Sequence, residues 1–358
     1  MIYVMDFRLT TLDRIGRTRS IPRSGRVSFE SLFAIQGVKM TFQINRRSFL
    51  RLGMAAGAAS LAPRWVFPQA AAPAPPTDRL AQMHAAGAST PIKTTKLYDN
   101  IWLLQGAGGN MAVQSGKDGI LLIDSSFATA VPHIREAIAA VSSDAPHALI
   151  NTHWHVDHVD GNEGMHAAGF HVIAHEKTKT RMSAPSEIKL LHISLPAYPA
   201  GAIPGTTFAA TMSHKHNGDS VDLVHYDPAH TDTDIYIHFH NADVLHCGDI
   251  FFNKTYPFID EGTGGSIGGT IDAAQKSLAL AGDGTKVIPG HGPLGNKADL
   301  KQYIDMLSAV RDNVAALKKA GASEQEAIAK KPTMQFDSNW LHSGGSPDMF
   351  IGIVYRTV

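Results

Sequence analysis

His153-Trp154-His155-Val156-Asp157-His158 follows directly on the β-rich run 148–152, and these six residues decide the reading of the chain. Side chains two apart in extended backbone point to the same side, so the spacing predicts that His153 and His155 grip one ion. The chain then turns into Gly161-Asn162, which leaves Asp157 and His158 to face a second ion nearby. Neutral imidazoles with one carboxylate suit zinc, at roughly 2.0–2.2 Å from the metal. Three further candidates stand at strand ends or in loops. His230 lies in Pro228-Ala229-His230-Thr231-Asp232, Asp249 in His246-Cys247-Gly248-Asp249, and His291 in Ile288-Pro289-Gly290-His291-Gly292. Glycine beside Asp249 and His291 lets backbone approach a crowded centre. Spacing alone does not bring these groups together.

Outward from that run, short β-rich segments alternate with helical ones. Residues 101–105, 111–115 and 120–124 read as three closely spaced strands separated by glycine-bearing turns. Residues 131–141 place Val131, Ile134, Ile138 and Val141 at helical spacing. Residues 297–320 do the same with Leu300, Ile304, Leu307, Val310, Val314 and Leu317. Further strands are expected at 148–152, 171–174, 221–225, 234–239, 244–249 and 286–289, and a helix at 273–281. Residues 73–91 read as an extended linker, 92–320 as the main domain, and 321–358 as a short helix and tail with little functional signal. The mixture predicts an α/β protein with antiparallel hairpins, not a simple doubly wound sheet.

Of the 358 residues, 44% are hydrophobic and 18% charged, which excludes a disordered or fibrous chain. Basic and acidic residues balance at 32 each, but unevenly: residues 1–72 hold 11 basic and 3 acidic, leaving a formal net of −8 for 73–358. A body of that sign is a poor general binder of nucleic acid or anionic membrane, and a small-molecule substrate is expected instead. One cysteine, Cys247, excludes an intrachain disulfide. Two residues before Asp249 on an expected strand, it reads as a buried, inert thiol, with a soft metal ligand as the alternative. His133, His147, His192 and His342 read as surface or satisfied core groups, and His214, His216, His225, His238, His240 and His246 as exposed strand faces.

Asn45-Arg46-Arg47-Ser48-Phe49-Leu50-Arg51, a weakly apolar run to Ala62, and Ala70-Ala71-Ala72 together resemble a twin-arginine export signal. About 11 apolar residues fall short of the ~20 that span a bilayer, so no stable membrane anchor is expected. This reading assigns 40–72 to the signal and 1–39 to an over-extended start or disordered tail. It places the protein in the periplasm after transient contact with the twin-arginine machinery. Gly106-Ala107-Gly108-Gly109-Asn110-Met111 lacks the third glycine of a dinucleotide loop, and 262–269 lacks a following Lys-Ser/Thr.

Taken in order across residues 92–318, Asp124, the 153–158 run and the motifs around His230, Asp249 and His291 resemble the series of the metallo-β-lactamase fold superfamily. The resemblance implies a four-layer αββα sandwich, two mixed sheets flanked by helices, with metal at one edge. It implies His153, His155 and His230 as ligands of one ion, Asp157, His158 and His291 of a second, Asp249 as the bridge, and Asp124 as a structural group. The implied cofactors are two zinc ions, with iron or manganese as alternatives. Asp157 and Asp249 are the implied catalytic residues, which aim the proton of a metal-bridging hydroxide. The reaction class is then hydrolysis of an ester, lactone or amide bond, β-lactams included.

Residues 252–260 with 264–267 resemble the periplasmic lactamase-like hydrolases labelled "cyclase-like". True β-lactamases commonly carry cysteine at the position of Asp249 and lysine three residues later. Here that later position is Phe252, with Lys254 close, so efficient β-lactam hydrolysis is not expected. Tyr256 and Phe258 are candidates for the pocket wall. The rival readings are a mononuclear iron persulfide dioxygenase of the same fold and a non-catalytic periplasmic metal-binding protein. The complete second ligand set favours hydrolysis.

Overall fold

Ile120-Leu121-Leu122-Ile123 is buried on both faces, as a strand must be when other layers pack against each side. The computed structural model describes residues 78–226, 228–340 and 345–358. The start assigned to 1–39, the export signal at 40–72 and His342 lie outside the described residues.

The first sheet opens with an antiparallel meander of β1 (Lys93–Tyr98), β2 (Ile101–Gln105), β3 (Met111–Gln114) and β4 (Ile120–Ile123). It continues in parallel through β5 (Pro146–Ile150) and β6 (His171–His175). A separate hairpin of β7 (Ser186–Ile188) and β8 (Ile193–Leu195) intervenes before β9 (Thr206–Phe208) completes seven strands. The second sheet runs in chain order: β10 (Thr211–His216), β11 (Asp219–His225), β12 (Ile235–Phe239), β13 (Val244–His246), β14 (Lys286–Ile288) and β15 (Gly295–Asn296). Its β13–β14 pair is parallel and its other pairs antiparallel, so both large sheets are mixed.

Between the sheets, Leu103, Leu121, Ile123 and Ile150 of the first meet Leu223, Ile237 and Phe239 of the second. Helix α1 (Arg79–Ser89) and helix α2 (Val131–Val141) cover the outer face of the first sheet, where Ile134 and Ile138 bury against Leu122 and Leu149. Short helices α3 (Val156–Val159), α4 (Asn162–Ala167) and α5 (Glu176–Met182) follow the strands of that sheet. The outer face of the second sheet is covered by α6 (Ile267–Leu280) and α7 (Lys297–Lys319). Asn296 and Asp299 form a reciprocal cap at the start of α7, which fixes where its apolar stripe from Leu300 to Val314 begins. The layers are therefore α, β, β and α, the architecture expected from the resemblance.

Several expectations are corrected. Residues 79–89 of the supposed linker form α1, capped by the Asp78 carboxylate, which accepts from the Leu80 and Ala81 amides. Its alanine-rich composition favours helix, and Leu80 and Met83 pack on the core. Residues 321–358 hold α8 (Glu324–Ala329), α9 (Asp337–Trp340) and α10 (Pro347–Thr357), not a tail. Phe350, Ile351, Ile353 and Val354 of α10 are fully buried against the second sheet's helices. The strand expected at 244–249 ends at His246, because Gly248 adopts φ 51° and swings Asp249 into one turn of 3-10 helix. His216, His238 and His246 are buried, not exposed as the strand pattern suggested. No helix of the described residues is long and apolar enough to cross a membrane.

Candidate metal centre

β4 and β5 end side by side, and the chain leaving each carries the groups that shape the site. Asp124, in left-handed backbone at φ 61°, accepts from the Thr152 amide at 2.8 Å and the Thr152 hydroxyl at 2.7 Å. Its Oδ2 also lies 2.7 Å from His158 Nδ1. The aspartate thus clamps the turn that bears His153 and His155. That turn is not extended strand, since β5 stops at Ile150. The two rings nevertheless come together, with centroids 4.9 Å apart. The turn sends Trp154 into the apolar core and both histidines into the site.

His230 arrives from the loop before β12. Asp234 holds this loop by accepting from the Thr231 amide at 2.7 Å and its hydroxyl at 2.8 Å. His230 lies 5.0 Å from the His153 ring and 4.8 Å from the His155 ring, near perpendicular to both. One donor atom each from His153, His155, His230 and Asp249 fall within 4.8 Å of one another. A second group with the same spread joins Asp157, His158 and His291. Asp249 faces both: Oδ2 lies 3.4 Å from His230 Nε2 and 3.4 Å from His291 Nε2, while Oδ1 lies 3.2 Å from His158 Nε2. All seven residues singled out by sequence therefore converge on one edge of the sandwich.

The ring nitrogens that point away from this centre are engaged. His230 Nδ1 donates to the Phe258 carbonyl at 2.7 Å, His155 Nε2 meets Asp260 Oδ2 at 3.1 Å, and His153 Nδ1 lies 3.1 Å from the Thr152 hydroxyl. Such outer partners fix the tautomer and aim the other nitrogen inward. Inward, His153 Nε2, His158 Nε2 and Asp249 Oδ1 are buried with no hydrogen-bond partner among the described residues. An orphaned buried polar atom costs about 1–3 kcal/mol, and three in one place make a donor set that a cation would satisfy. The residues fit a metal centre.

The charges divide the site. Burial and the neighbouring His158 hold His153 well below the usual imidazole range, and burial pushes His230 down to about 4. Burial alone would lower His158 and His291, but Asp249 and the other carboxylates override it. His158 is raised well above its ordinary value, and His291 is raised to about 10 by Asp249 and Asp157. Burial alone would likewise raise Asp157, yet His158 and the hydrogen-bonded His291 hold its carboxyl at about 2.

A cavity of about 700 Å³ opens onto the centre through Asp157 and His291, whose side chains remain 20% and 26% exposed. Met83, Phe127, Leu191, Ile193, Phe258 and Met349 form much of its wall, drawn from α1, the β7–β8 hairpin and α10 as well as the sandwich. Tyr256 and Phe258 both line it, though the Tyr256 hydroxyl is spent on Asp337 at 2.8 Å. Phe252 stacks on His291. Lys254 points elsewhere, donating to Gln302 Oε1 at 3.0 Å and sitting over the Trp340 ring. Cys247 is buried in apolar packing, with its thiol pushed up to about 12, and is an inert core group.

Residues 104–292 match the family model described as the metallo-beta-lactamase superfamily, a span that exceeds half the chain and contains all seven converging residues. The chain belongs to the metallo-β-lactamase superfamily. Among solved structures, this superfamily member is similar to the metallo-beta-lactamase from Pontibacter korlensis, with a TM-score of 0.51 and 18% identity over 61% of this chain and 99% of that one. It is also similar to the stereoselective inverting sec-alkylsulfatase Pisa1 from Pseudomonas sp., with a TM-score of 0.57 and 16% identity over 74% of this chain. The match spans 50% of the sulfatase's length. At these identities the likeness is one of fold. No curated protein matches the sequence.

Sequence reasoning missed Asp260, which is 2% exposed and holds His155 while also accepting from the Gly262 amide and the Thr263 hydroxyl. An aspartate four residues after Tyr256 in an apolar loop carries no pattern of its own. Asp260→Asn keeps the shape but removes the charge that steadies the His155 ring. We expect a roughly 10–100-fold loss of metal affinity, read by competition with a chromophoric chelator, and recovery of bound metal when the ion is in excess.

Proposed function

We propose that this chain is a zinc-dependent hydrolase with a two-ion centre that cleaves an ester, lactone or amide bond in a carbon-rich small molecule. His153, His155 and His230 would hold one ion, Asp157, His158 and His291 the other, and Asp249 would serve both. The observation that carries the reading is Asp249, whose carboxylate reaches both histidine groups, Oδ2 toward His230 and His291 and Oδ1 toward His158, amid buried donor atoms that lack partners. A pair of divalent ions, when bound, brings the pKa of water toward ~7 and polarises the bond to be cleaved. Asp157 stands at the cavity face of the centre and accepts the proton of the attacking water at its outer oxygen. The proton that Asp157 takes up passes on to the leaving group. The apolar wall binds the body of the substrate and excludes water from it.

The wall also sets the expected preference. It offers many aliphatic and aromatic side chains, and Arg79 is its one arginine or lysine among the described residues. Since Lys254 turns away, no lysine among the described residues lines the cavity to anchor the carboxylate of a β-lactam near the metal groups. The fold shared with a named alkylsulfatase adds sulfate esters of alkyl chains to the substrates worth offering. The twin-arginine-like leader at Asn45 to Arg51 supports a periplasmic location.

A panel of aryl esters, lactones of increasing chain length, alkyl sulfates and β-lactams, run beside elemental analysis of unsupplemented protein, tests the reading. We expect about two zinc ions per chain, loss of turnover on chelation, and rates that rise with the length of the apolar chain. About one iron per chain with thiol-dependent oxygen uptake would overturn it in favour of the dioxygenase. Silence across the panel after zinc, manganese and cobalt reconstitution would favour the non-catalytic metal-binding protein.

A further inference from the structure

A second histidine cluster lies far from the first. His147 opens β5 in the seven-stranded sheet, and His214 and His216 stand two apart on β10 of the six-stranded sheet, hence on one face of that strand. One donor nitrogen from each falls within 4.8 Å of the others. The centre described above follows the C-terminal end of β5, so this cluster sits at the opposite end of the strand, on the order of 10 Å or more away.

We propose that His147, His214 and His216 form a separate site for one borderline-soft transition-metal ion such as zinc, which ties the two sheets together at the end away from the catalytic groups. The best support is His216, which is 2% exposed. Its Nε2 donates to the Gly119 carbonyl at 3.1 Å, so the tautomer is fixed and Nδ1 is left as a lone pair. A backbone carbonyl on the outer nitrogen is the usual support of a ligating histidine. Burial also lowers the basicity of His216 and keeps it neutral, the form a metal needs. His147 and His214 have no ring hydrogen bond among the described residues, so both are available as donors.

Simple ring packing is the competing account. The His147 and His216 rings stack at 4.8 Å with 27° between planes, and His214 and His216 at 6.0 Å with 26°. Packing accounts for the stacking, but it leaves the His147 and His214 nitrogens unbonded beside the one ring that a carbonyl holds in place. Two nitrogens on one ion at about 2.1 Å each cannot lie more than about 4.2 Å apart. The three donor atoms, within 4.8 Å of one another, lie near that limit.

The experiment compares the full zinc-loaded chain with its His147→Ala/His214→Ala double variant, neither residue being near the cavity. Equilibrium dialysis against zinc should show one equivalent more in the wild type, and added zinc should raise its Tm while leaving that of the variant unchanged. Hydrolytic turnover should be equal in the two. Because the readout is a difference of one equivalent, it stands whether the catalytic centre holds one ion or two. Equal zinc content in both proteins, or an equal zinc-dependent rise in Tm, overturns the proposal.

Discussion

Asp249→Asn should strip metal from both histidine groups at once and take turnover with it. The Asp249 carboxylate is 4% exposed and lies within 3.8 Å of a nitrogen of His153, His158, His230 and His291. Asparagine matches its size but lacks the charge that those four rings, and any cation among them, are arranged around. Removing one member of a buried charge arrangement costs about 3–5 kcal/mol. At 1.4 kcal/mol per factor of ten, that is a fall on the order of 10²–10³ or more in affinity. Asp157→Ala makes the informative contrast. Asp157 belongs to one group only, so this variant should keep the ion held by His153, His155 and His230 while losing the second. Elemental analysis reads both outcomes directly, and circular dichroism checks that the fold survives. Two ions retained by the Asp249→Asn protein would remove the bridging role and with it the argument for paired ions.

Much of this geometry was legible because the sequence carries two kinds of signal that survive without coordinates. Continuous aliphatic runs such as 120–123 and the spaced stripe of α7 report burial, and burial is what layers a sandwich. The six-residue run at 153–158 reports chemistry, since histidine and aspartate are costly to bury unless something satisfies them. His153 and His155 were nonetheless expected to align because of extended backbone, whereas a turn clamped by Asp124 brings them together. The outcome matched and the local reason did not. Asp260 and the Phe258 carbonyl were invisible because outer partners act through position, not type. A lone aspartate and a main-chain oxygen look the same wherever they occur. The helices at 79–89 and 347–357 escaped for a different reason. The first is alanine-rich, and the second centres on the apolar run 349–355, which does not by itself separate a helix from a buried strand. Both matter to function, since they supply Arg79, Met83 and Met349 to the cavity wall.

Metal uptake by the stripped protein should be more steeply pH-dependent for the group of Asp157, His158 and His291 than for the group of His153, His155 and His230. His153 lies well below its ordinary value and His230 at about 4, so near neutrality both are already unprotonated and their group can accept an ion without releasing protons from them. His158 and His291 are raised, the latter to about 10, so the metal-free protein carries protons on both at pH 7. An imidazolium offers no lone pair, and each proton displaced makes the apparent affinity rise tenfold per pH unit while the pH stays below that group's pKa. Two protons set a ceiling of about a hundredfold per unit between pH 6 and 8 for the group of Asp157, His158 and His291. An ion already held beside Asp249 weakens that carboxylate's pull on both rings, so the observed slope should fall between tenfold and this ceiling. Asp157, held at about 2, stays ionised throughout and adds nothing to the slope. The same protons act oppositely on the metal-free fold. A folded value for His291 above its ordinary 6.5 contributes stability that is fully present below 6.5 and lost as pH rises through about 10. Calorimetric titration in two buffers of different ionisation enthalpy counts the protons released with each equivalent, and chelator competition at pH 6, 7 and 8 gives the slopes. Equal, pH-independent uptake of both equivalents would mean that His158 and His291 hold no protons to displace, and the electrostatic division of the site would be wrong.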